Sequence, residues 1–97
     1  MHFNTKVKVI EIKKEQERPN FLDKYYLVRF ALDSDGISSI EADIWVHSNY
    51  PEEKIVKVAY TFLHRRLLDC VESIESEIYT PEEVDALWQS VKPEKIV

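Results

Sequence analysis

The sequence predicts an α+β fold in which a three-stranded antiparallel β-meander is followed by one long helix, packed on one face of the sheet, and a short C-terminal helix. Three stretches, residues 5–14, 24–32 and 37–47, alternate apolar and polar side chains as strands with two different faces do. From about residue 49 to residue 76, apolar residues recur at three- and four-residue steps, which is the period of a helix. The predicted order is therefore β-β-β-α-α, with helices layered on a sheet.

The amino-acid composition is typical of one small folded domain, residues 1–97, because 44% of the residues are hydrophobic and 32% are charged. A single cysteine excludes an internal disulfide. Cys70 falls on the apolar side of the long helix, where we expect it to be buried in a reducing compartment. The first 20 residues contain no apolar run of the signal-peptide type, and no apolar segment approaches the length of a membrane span. The sequence therefore predicts a cytoplasmic protein.

The net charge of −5 is unevenly distributed along the chain. Residues 1–68 hold 11 Lys/Arg and 10 Asp/Glu, whereas residues 69–97 hold two Lys/Arg and eight Asp/Glu. An acidic end disfavours contact with nucleic acid there, because phosphates carry the same sign of charge. It permits a basic protein partner, and a solvated acidic face is the alternative explanation.

The first strand has a break in its alternation. Val7 and Val9 point to one face, and Ile10 and Ile12 point to the other. A β-bulge between Val9 and Ile10 would bring both pairs to one face, and a strand with two partly covered faces is the alternative. The frequent lysines of this strand predict a position at the edge of the sheet.

A turn at Pro19 and Asn20 leads to the second strand, and we expect Phe21 and Leu22 to tuck under the sheet edge. Both faces of the second strand are rich in apolar residues, which predicts that it is the central strand. The residues of its core face are Tyr26, Val28, Phe30 and Leu32.

The second and third strands are predicted to form a hairpin with a three-residue loop, Ser34 to Gly36, in which Gly36 has a left-handed conformation. An odd loop length keeps the apolar rows of both strands on one face. The predicted pairs are Phe30 with Ile40, Val28 with Ala42, Tyr26 with Ile44, Arg29 with Glu41, and Tyr25 with Trp45.

The long helix is predicted to start at Asn49 as its N-cap, with Pro51 in the first turn. Phe62 is the expected core anchor. A second stripe widens the apolar arc of this helix, and it predicts either burial under the short helix or a helix–helix contact between subunits. The residues of this possible dimer face are Val56, Tyr60, His64 and Leu68.

The short helix has a complete start signal, because Thr80 can cap it, Pro81 suits the first position and Glu83 completes a capping box. Its apolar stripe consists of Val84, Leu87, Trp88 and Val91. This stripe is expected to cover part of the long helix. Lys92-Pro93 ends the helix, and the apolar tip at Ile96 and Val97 is expected to dock.

The sequence contains no motif that predicts a cofactor or a metal. Gly36 is the only glycine, so no phosphate-binding loop exists, and no Cys/His spacing suits zinc. No catalytic residue is predicted from a motif, although Asp43 and His47, on one face of the same strand, could form an acid–base pair. The face that carries them is a candidate interaction face, consisting of Tyr25, Leu27, Arg29, Glu41, Asp43, Trp45 and His47.

These observations favour a protein–protein interaction module without catalytic activity, a homodimer that serves as an adaptor, an inhibitor or an immunity-like protein. A Trp and a Tyr on an otherwise uncovered sheet face favour contact with a partner over solvation. The first alternative is a small enzyme or ligand-binding domain with its site on the outer hairpin face. The second, which the acidic chain disfavours, is a nucleic-acid-binding accessory protein that uses Lys6, Lys8, Arg65 and Arg66.

Overall fold

The structure, a computed structural model, describes residues 4–35 and 38–91. It confirms the predicted fold class, with a sheet in the order β1-β2-β3 followed by two helices. The strands are β1 (Thr5–Glu17), β2 (Lys24–Ser34) and β3 (Ser38–His47), and the helices are α1 (Ile55–Ile74) and α2 (Pro81–Val91). Short 3-10 turns, Glu52–Lys54 and Glu75–Glu77, precede and follow α1. Both strand pairs are antiparallel, and β2 is central, as predicted.

The chain divides into two compact units, Met1–Leu67 and Leu68–Val97, which we call the sheet unit and the helical unit. The division falls within α1. The assignment of residues 1–97 to one domain stays a prediction. None of the helices in the described part of the chain is both long enough and apolar enough to span a membrane.

The core of the sheet unit lies between α1 and the two strands β2 and β3. Val28, Phe30 and Val46 are completely buried there. They cluster with Ile44 and with three helix residues spaced four apart, Ile55, Ala59 and Leu63. Residues at this spacing form one line along a helix, so α1 presents a narrow ridge to the sheet.

Phe62 is not the core anchor that the sequence predicts. It is partly buried and packs against the edge of the core, because it lies beside the ridge formed by Ala59 and Leu63. Cys70, predicted to be buried, is exposed. The apolar period of α1 continues beyond Leu63, which is its last buried residue.

The hairpin has the predicted faces but a register that differs by two residues. Phe30 pairs with Ala42 instead of Ile40, and Arg29 pairs with Asp43 instead of Glu41. The other three residues of the prediction are shifted in the same way: Val28 pairs with Ile44, Tyr26 with Val46, and Tyr25 with His47. A shift by two keeps every side chain on its face, because side chains alternate with a period of two. The loop between the last pair, Ser34 and Ser38, again has three residues, and the predicted conformation of Gly36 lies outside the described residues.

The predicted bulge in β1 is confirmed. The β1–β2 register shifts between Val9 and Glu11, so Ile10 is the extra residue, and Ile12 returns to the face of Val9. A second shift follows between Lys13 and Gln16, where Glu15 has a positive φ of 53°. As predicted, β1 is an edge strand.

The start of the long helix differs from the prediction. Asn49 does not cap it; the backbone N–H of Asn49 donates to Nδ1 of His47 instead. The 3-10 turn that precedes α1 begins after Pro51 and has no side-chain cap. In the β1–β2 connection the turn at Pro19 and Asn20 is confirmed, but Leu22 is fully exposed and does not tuck under the sheet.

The start of α2 confirms the predicted capping box. Thr80 Oγ1 accepts a hydrogen bond from the Glu83 N–H at 3.2 Å, and Glu83 Oε1 accepts one from the Thr80 N–H at the same distance. The apolar stripe of α2 is not covered, because no residue of α2 is buried. The expectations for Lys92-Pro93 and for Ile96 and Val97 lie outside the described residues.

Candidate interaction surfaces

The seven residues of the predicted interaction face lie on the outer side of the hairpin, opposite α1. They alternate along β2 and β3 with core residues such as Val28 and Ile44, so the pleat of the sheet places them on the other face. Tyr25 is buried, while Leu27, Arg29, Trp45 and His47 are half-buried, and Glu41 and Asp43 are exposed. The burial of an outer-face residue shows that another part of the sheet unit covers this face.

Tyr25 is the centre of an aromatic cluster and is only 7% exposed. Its ring makes edge contacts with Phe21, Trp45 and His47, at centroid distances of 5.6, 6.1 and 5.0 Å. The Arg18 guanidinium lies 4.3 Å from the Phe21 ring centroid and 5.2 Å from that of Tyr25. Both Arg18 and Phe21 come from the β1–β2 connection, which therefore covers one end of the outer face with a cation–π contact.

His47 makes two hydrogen bonds through its ring nitrogens. Its Nδ1 accepts the N–H of Asn49 at 3.0 Å, so that nitrogen carries no proton. Its Nε2 lies 2.9 Å from Asp23 Oδ2 and must be the donor in that contact, since a carboxylate can only accept. These two contacts direct the Nε2–H of His47 at Asp23.

Asp43 is engaged by Arg29 across the hairpin. Arg29 Nε donates to Asp43 Oδ1 at 2.8 Å, and Nη2 lies 3.4 Å from Oδ2. This hydrogen bond lowers the pKa of Asp43 and raises that of Arg29. Arg29 also lies 3.7 Å from Glu11 of β1. Asp43 and His47 thus have separate partners, Arg29 and Asp23, and the hypothesis of an acid–base pair gains no support.

Sequence reasoning missed Arg18 and Asp23, and it wrongly placed Phe21 under the sheet edge; all three join the predicted face from the β1–β2 connection. The correct register would have pointed to Asp23. Because Tyr25 pairs with His47, Asp23 lies just beyond the end of the ladder on the side of His47. The strand register gives no such signal for the outer-face positions of Arg18 and Phe21. Their positions depend on the path of the connection through Asn20, which has a φ of 70°.

A second surface lies on the inner face, where α1 leaves β1 uncovered. We call it the open flank and define it by Val7, Ile12, Val56 and Tyr60, which are between 36% and 41% exposed. Val7 and Ile12 share the face of Phe30, since Val7 pairs with Leu32 and Ile12 with Val28. β1 contributes no buried residue to the core.

The side of α1 that belongs to the open flank follows from two aromatic contacts. Phe62 lines a cleft with Ile44 and Trp45 of β3, which fixes the β3 side of the helix. Tyr60 is two residues away, or about 200° around a helix, and therefore lies on the opposite side, toward β1. Its ring packs at 4.9 Å on Phe30, whose partner in β1 is Val9. Of the predicted dimer face, Val56 and Tyr60 thus belong to the open flank; His64 and Leu68 are also exposed, and Leu68 belongs to the helical unit.

The cleft at the free edge of β3 is shallow, with a volume of about 450 Å³. Its lining residues are Arg18, Asp43, Ile44, Trp45, Phe62 and Arg66. The neighbouring Arg65 guanidinium lies 5.7 Å from the Phe62 ring centroid, so this side chain rests on an apolar neighbour. Within residues 4–35 and 38–91, no three metal-ligating side chains converge on one point.

The chain was compared with known proteins, and no family model, no curated protein and no solved structure matches it.

Proposed function

We propose that this protein is a non-catalytic protein–protein interaction module of the cytoplasm that acts as a homodimer through the open flank. The observation that supports the proposal is the incomplete cover of the inner sheet face. α1 buries residues of β2 and β3, but Val7, Ile12, Val56 and Tyr60 stay more than one-third exposed. A contiguous exposed apolar surface on a small domain is typical of a protein–protein interface.

The outer face is the weaker candidate for the interface. Its central aromatic residue, Tyr25, is already buried by Phe21 and Arg18. Its charges, Arg29 and Asp43, already satisfy each other. A partner would gain little apolar burial on such a face and would have to desolvate a formed ion pair. The open flank has aliphatic and aromatic side chains at its centre, as interface cores do.

A second copy of the chain is the occupant that we favour for the open flank. Residues 1–67 hold 11 Lys/Arg and 10 Asp/Glu, so two sheet units can approach without strong net repulsion. An isologous contact would place each flank on the other about a two-fold axis. β1 has 13 residues and spans about 40 Å, long enough for an interface of about 800 Å² per partner. A dimeric scaffold suits an adaptor, an inhibitor or an immunity-like protein.

Size-exclusion chromatography with light scattering tests this proposal directly. The 11.5 kDa chain should elute with a mass close to that of two copies at micromolar concentration. Val56→Glu and Tyr60→Glu should each give a folded monomer, because they place a charge in an apolar interface. Thr61→Glu is the matched control, since Thr61 is an exposed residue on another side of α1 and the change in charge is the same.

Three results would separate the possibilities. A mass of one copy at every concentration would contradict the dimer. Dissociation by Trp45→Glu alone, with Val56→Glu and Tyr60→Glu still dimeric, would place the interface on the outer face instead. Equal dissociation by Thr61→Glu would show that charge, and not the open flank, controls association.

A further inference from the structure

The helical unit exposes every large apolar side chain that the structure describes in it. Their exposed fractions run from 48% to 65%, and none of them is buried. These residues are Leu68, Val71, Ile74, Ile78, Tyr79, Val84, Leu87, Trp88 and Val91. Exposed apolar residues that occur singly need no explanation, but nine within one segment of 24 residues do.

In α2 these residues form one continuous face. Val84, Leu87, Trp88 and Val91 fall within an arc of about 100° when the helix is projected along its axis. Two carboxylates, Glu83 and Asp85, lie beyond the two edges of that arc, whereas Glu82 lies on the opposite side of the helix. α2 is therefore a strongly amphipathic helix whose apolar side has no cover.

Local contacts specify the first turn of α2, but they do not supply the stability of the whole helix. The reciprocal bonds between Thr80 and Glu83 specify the first turn. Yet α2 has only 11 residues, whereas isolated helices shorter than about 12–15 residues are marginal in water and depend on packing. A helix with a strong start signal and an uncovered apolar face is suited to be completed by a partner.

The charge of the segment restricts which partner fits. Residues 68–91 contain seven Asp/Glu and no Lys or Arg. A second helical unit, residues 68–97, would bring eight further carboxylates and only two lysines, so two such units would repel each other, and nucleic acid would be repelled in the same way. A surface with lysines and arginines around an apolar centre would match both the face and its rim.

We propose that the helical unit is a docking element for a basic partner protein, which it binds through the apolar face of α2 rimmed by carboxylates. The partner is a helix or groove that is apolar in the middle and positively charged around it. This surface shares no residue with the open flank. The inference therefore holds whether or not the chain forms a dimer.

Binding of a synthetic peptide of leucine and lysine, arranged as an amphipathic helix, is the test. The Trp45→Phe variant of the full chain leaves Trp88 as its only tryptophan, so the emission of Trp88 reports contact with α2. We expect a blue shift and saturable binding. Two further peptides are the controls: one with the same composition in scrambled order, and one with glutamate in place of lysine. Each should bind at least ten-fold more weakly.

Variants of the protein separate apolar contact from charge. Leu87→Ala should weaken binding of the amphipathic peptide at least ten-fold while preserving the helix, because leucine and alanine have similar helix propensities. Gln89→Ala, outside the apolar arc of the same helix, is the matched control and should bind as the parent does. Asp85→Asn, which removes a carboxylate charge beside the apolar arc, should weaken binding and reduce its dependence on salt.

Four outcomes would overturn the inference. The first is that the basic amphipathic peptide shows no saturable binding. The second is that the scrambled peptide binds equally well. The glutamate peptide binding as tightly would remove the argument from charge. A change from dimer to monomer in Leu87→Ala would assign this face to a second copy. The masses of Val56→Glu and Tyr60→Glu decide the open-flank dimer separately.

Discussion

The sheet unit and the helical unit contain similar proportions of apolar residues but use them differently. Among the described residues of the sheet unit, eight hydrophobic residues are buried, and three of them, Ile55, Ala59 and Leu63, belong to α1. Further along the same helix, Val71 and Ile74 continue the apolar pattern and are exposed. The difference teaches that a periodic stripe predicts a helix with an apolar face, whereas burial of that face depends on what lies opposite.

The largest expected difference between the units comes from one substitution made in both. Leu63 is 3% exposed and Leu87 is 50% exposed. Leu63→Ala should lower the free energy of unfolding by about 2–5 kcal/mol, through lost transfer energy and a cavity. Leu87→Ala should cost less than about 1 kcal/mol, because little burial is lost and helix propensity hardly changes. Urea unfolding followed by tryptophan emission measures both. Equal costs would show that α2 is packed as tightly as the core.

A smaller effect is expected from the capping box of α2. Thr80→Ala removes the hydroxyl that accepts the Glu83 N–H, which should destabilise α2 by roughly 0.5–2 kcal/mol. Because no residue of α2 is buried, the loss should appear as faster amide exchange at Val84 and Leu87, with little change in the unfolding of the sheet unit.

The control for this prediction is Ser90→Ala at the other end of α2. The Ser90 hydroxyl donates to the Leu87 carbonyl and caps no free N–H, so its loss should leave exchange in the first turn unchanged. An equal loss of sheet-unit stability in Thr80→Ala would mean that the two units unfold together.

The smallest expected effect concerns the outer face at acidic pH. The hydrogen bond from Arg29 lowers the pKa of Asp43 in the folded protein, so this pair stabilises the fold above the ordinary aspartate pKa. That contribution is lost as the pH falls below about 4 and through the lowered pKa. Both side chains are more than one-third exposed, so solvent screening makes the effect small.

Asp43→Asn should therefore reduce the acid dependence of unfolding, measured as the urea midpoint between pH 6 and pH 3. Asp33→Asn on the same sheet is the control. Its urea midpoint should change with pH more nearly as that of the parent protein does. A parent protein with the same pH dependence as Asp43→Asn would show that the ion pair contributes nothing to stability.

The faces of the strands could be predicted from the sequence, but the register could not. Two registers that differ by two residues give the same faces, the same loop length and a carboxylate opposite Arg29, either Glu41 or Asp43. The choice between them depends on the turn, where Asp35 has a positive φ of 47°. That conformation is not encoded in the alternation of the strands.

The candidate site was partly predictable for the same reason. The seven outer-face residues follow from alternation alone. The cover that Arg18 and Phe21 place over Tyr25 depends on the folded path of a connection, which no periodic pattern describes. The exposure of Cys70 was missed because the helical period is identical in the covered and uncovered parts of α1.

The two bulges of β1 also determine how this sheet could polymerise. An edge strand offers unpaired backbone groups to other strands, which is how sheets aggregate into fibrils. In β1 the ladder is interrupted twice, so only short stretches of its edge are regular. β3 pairs with β2 over ten consecutive positions without a shift and forms the opposite edge. Fibril growth by strand addition would therefore start at β3, and a lysine at its exposed Ile40 would be the substitution that slows it.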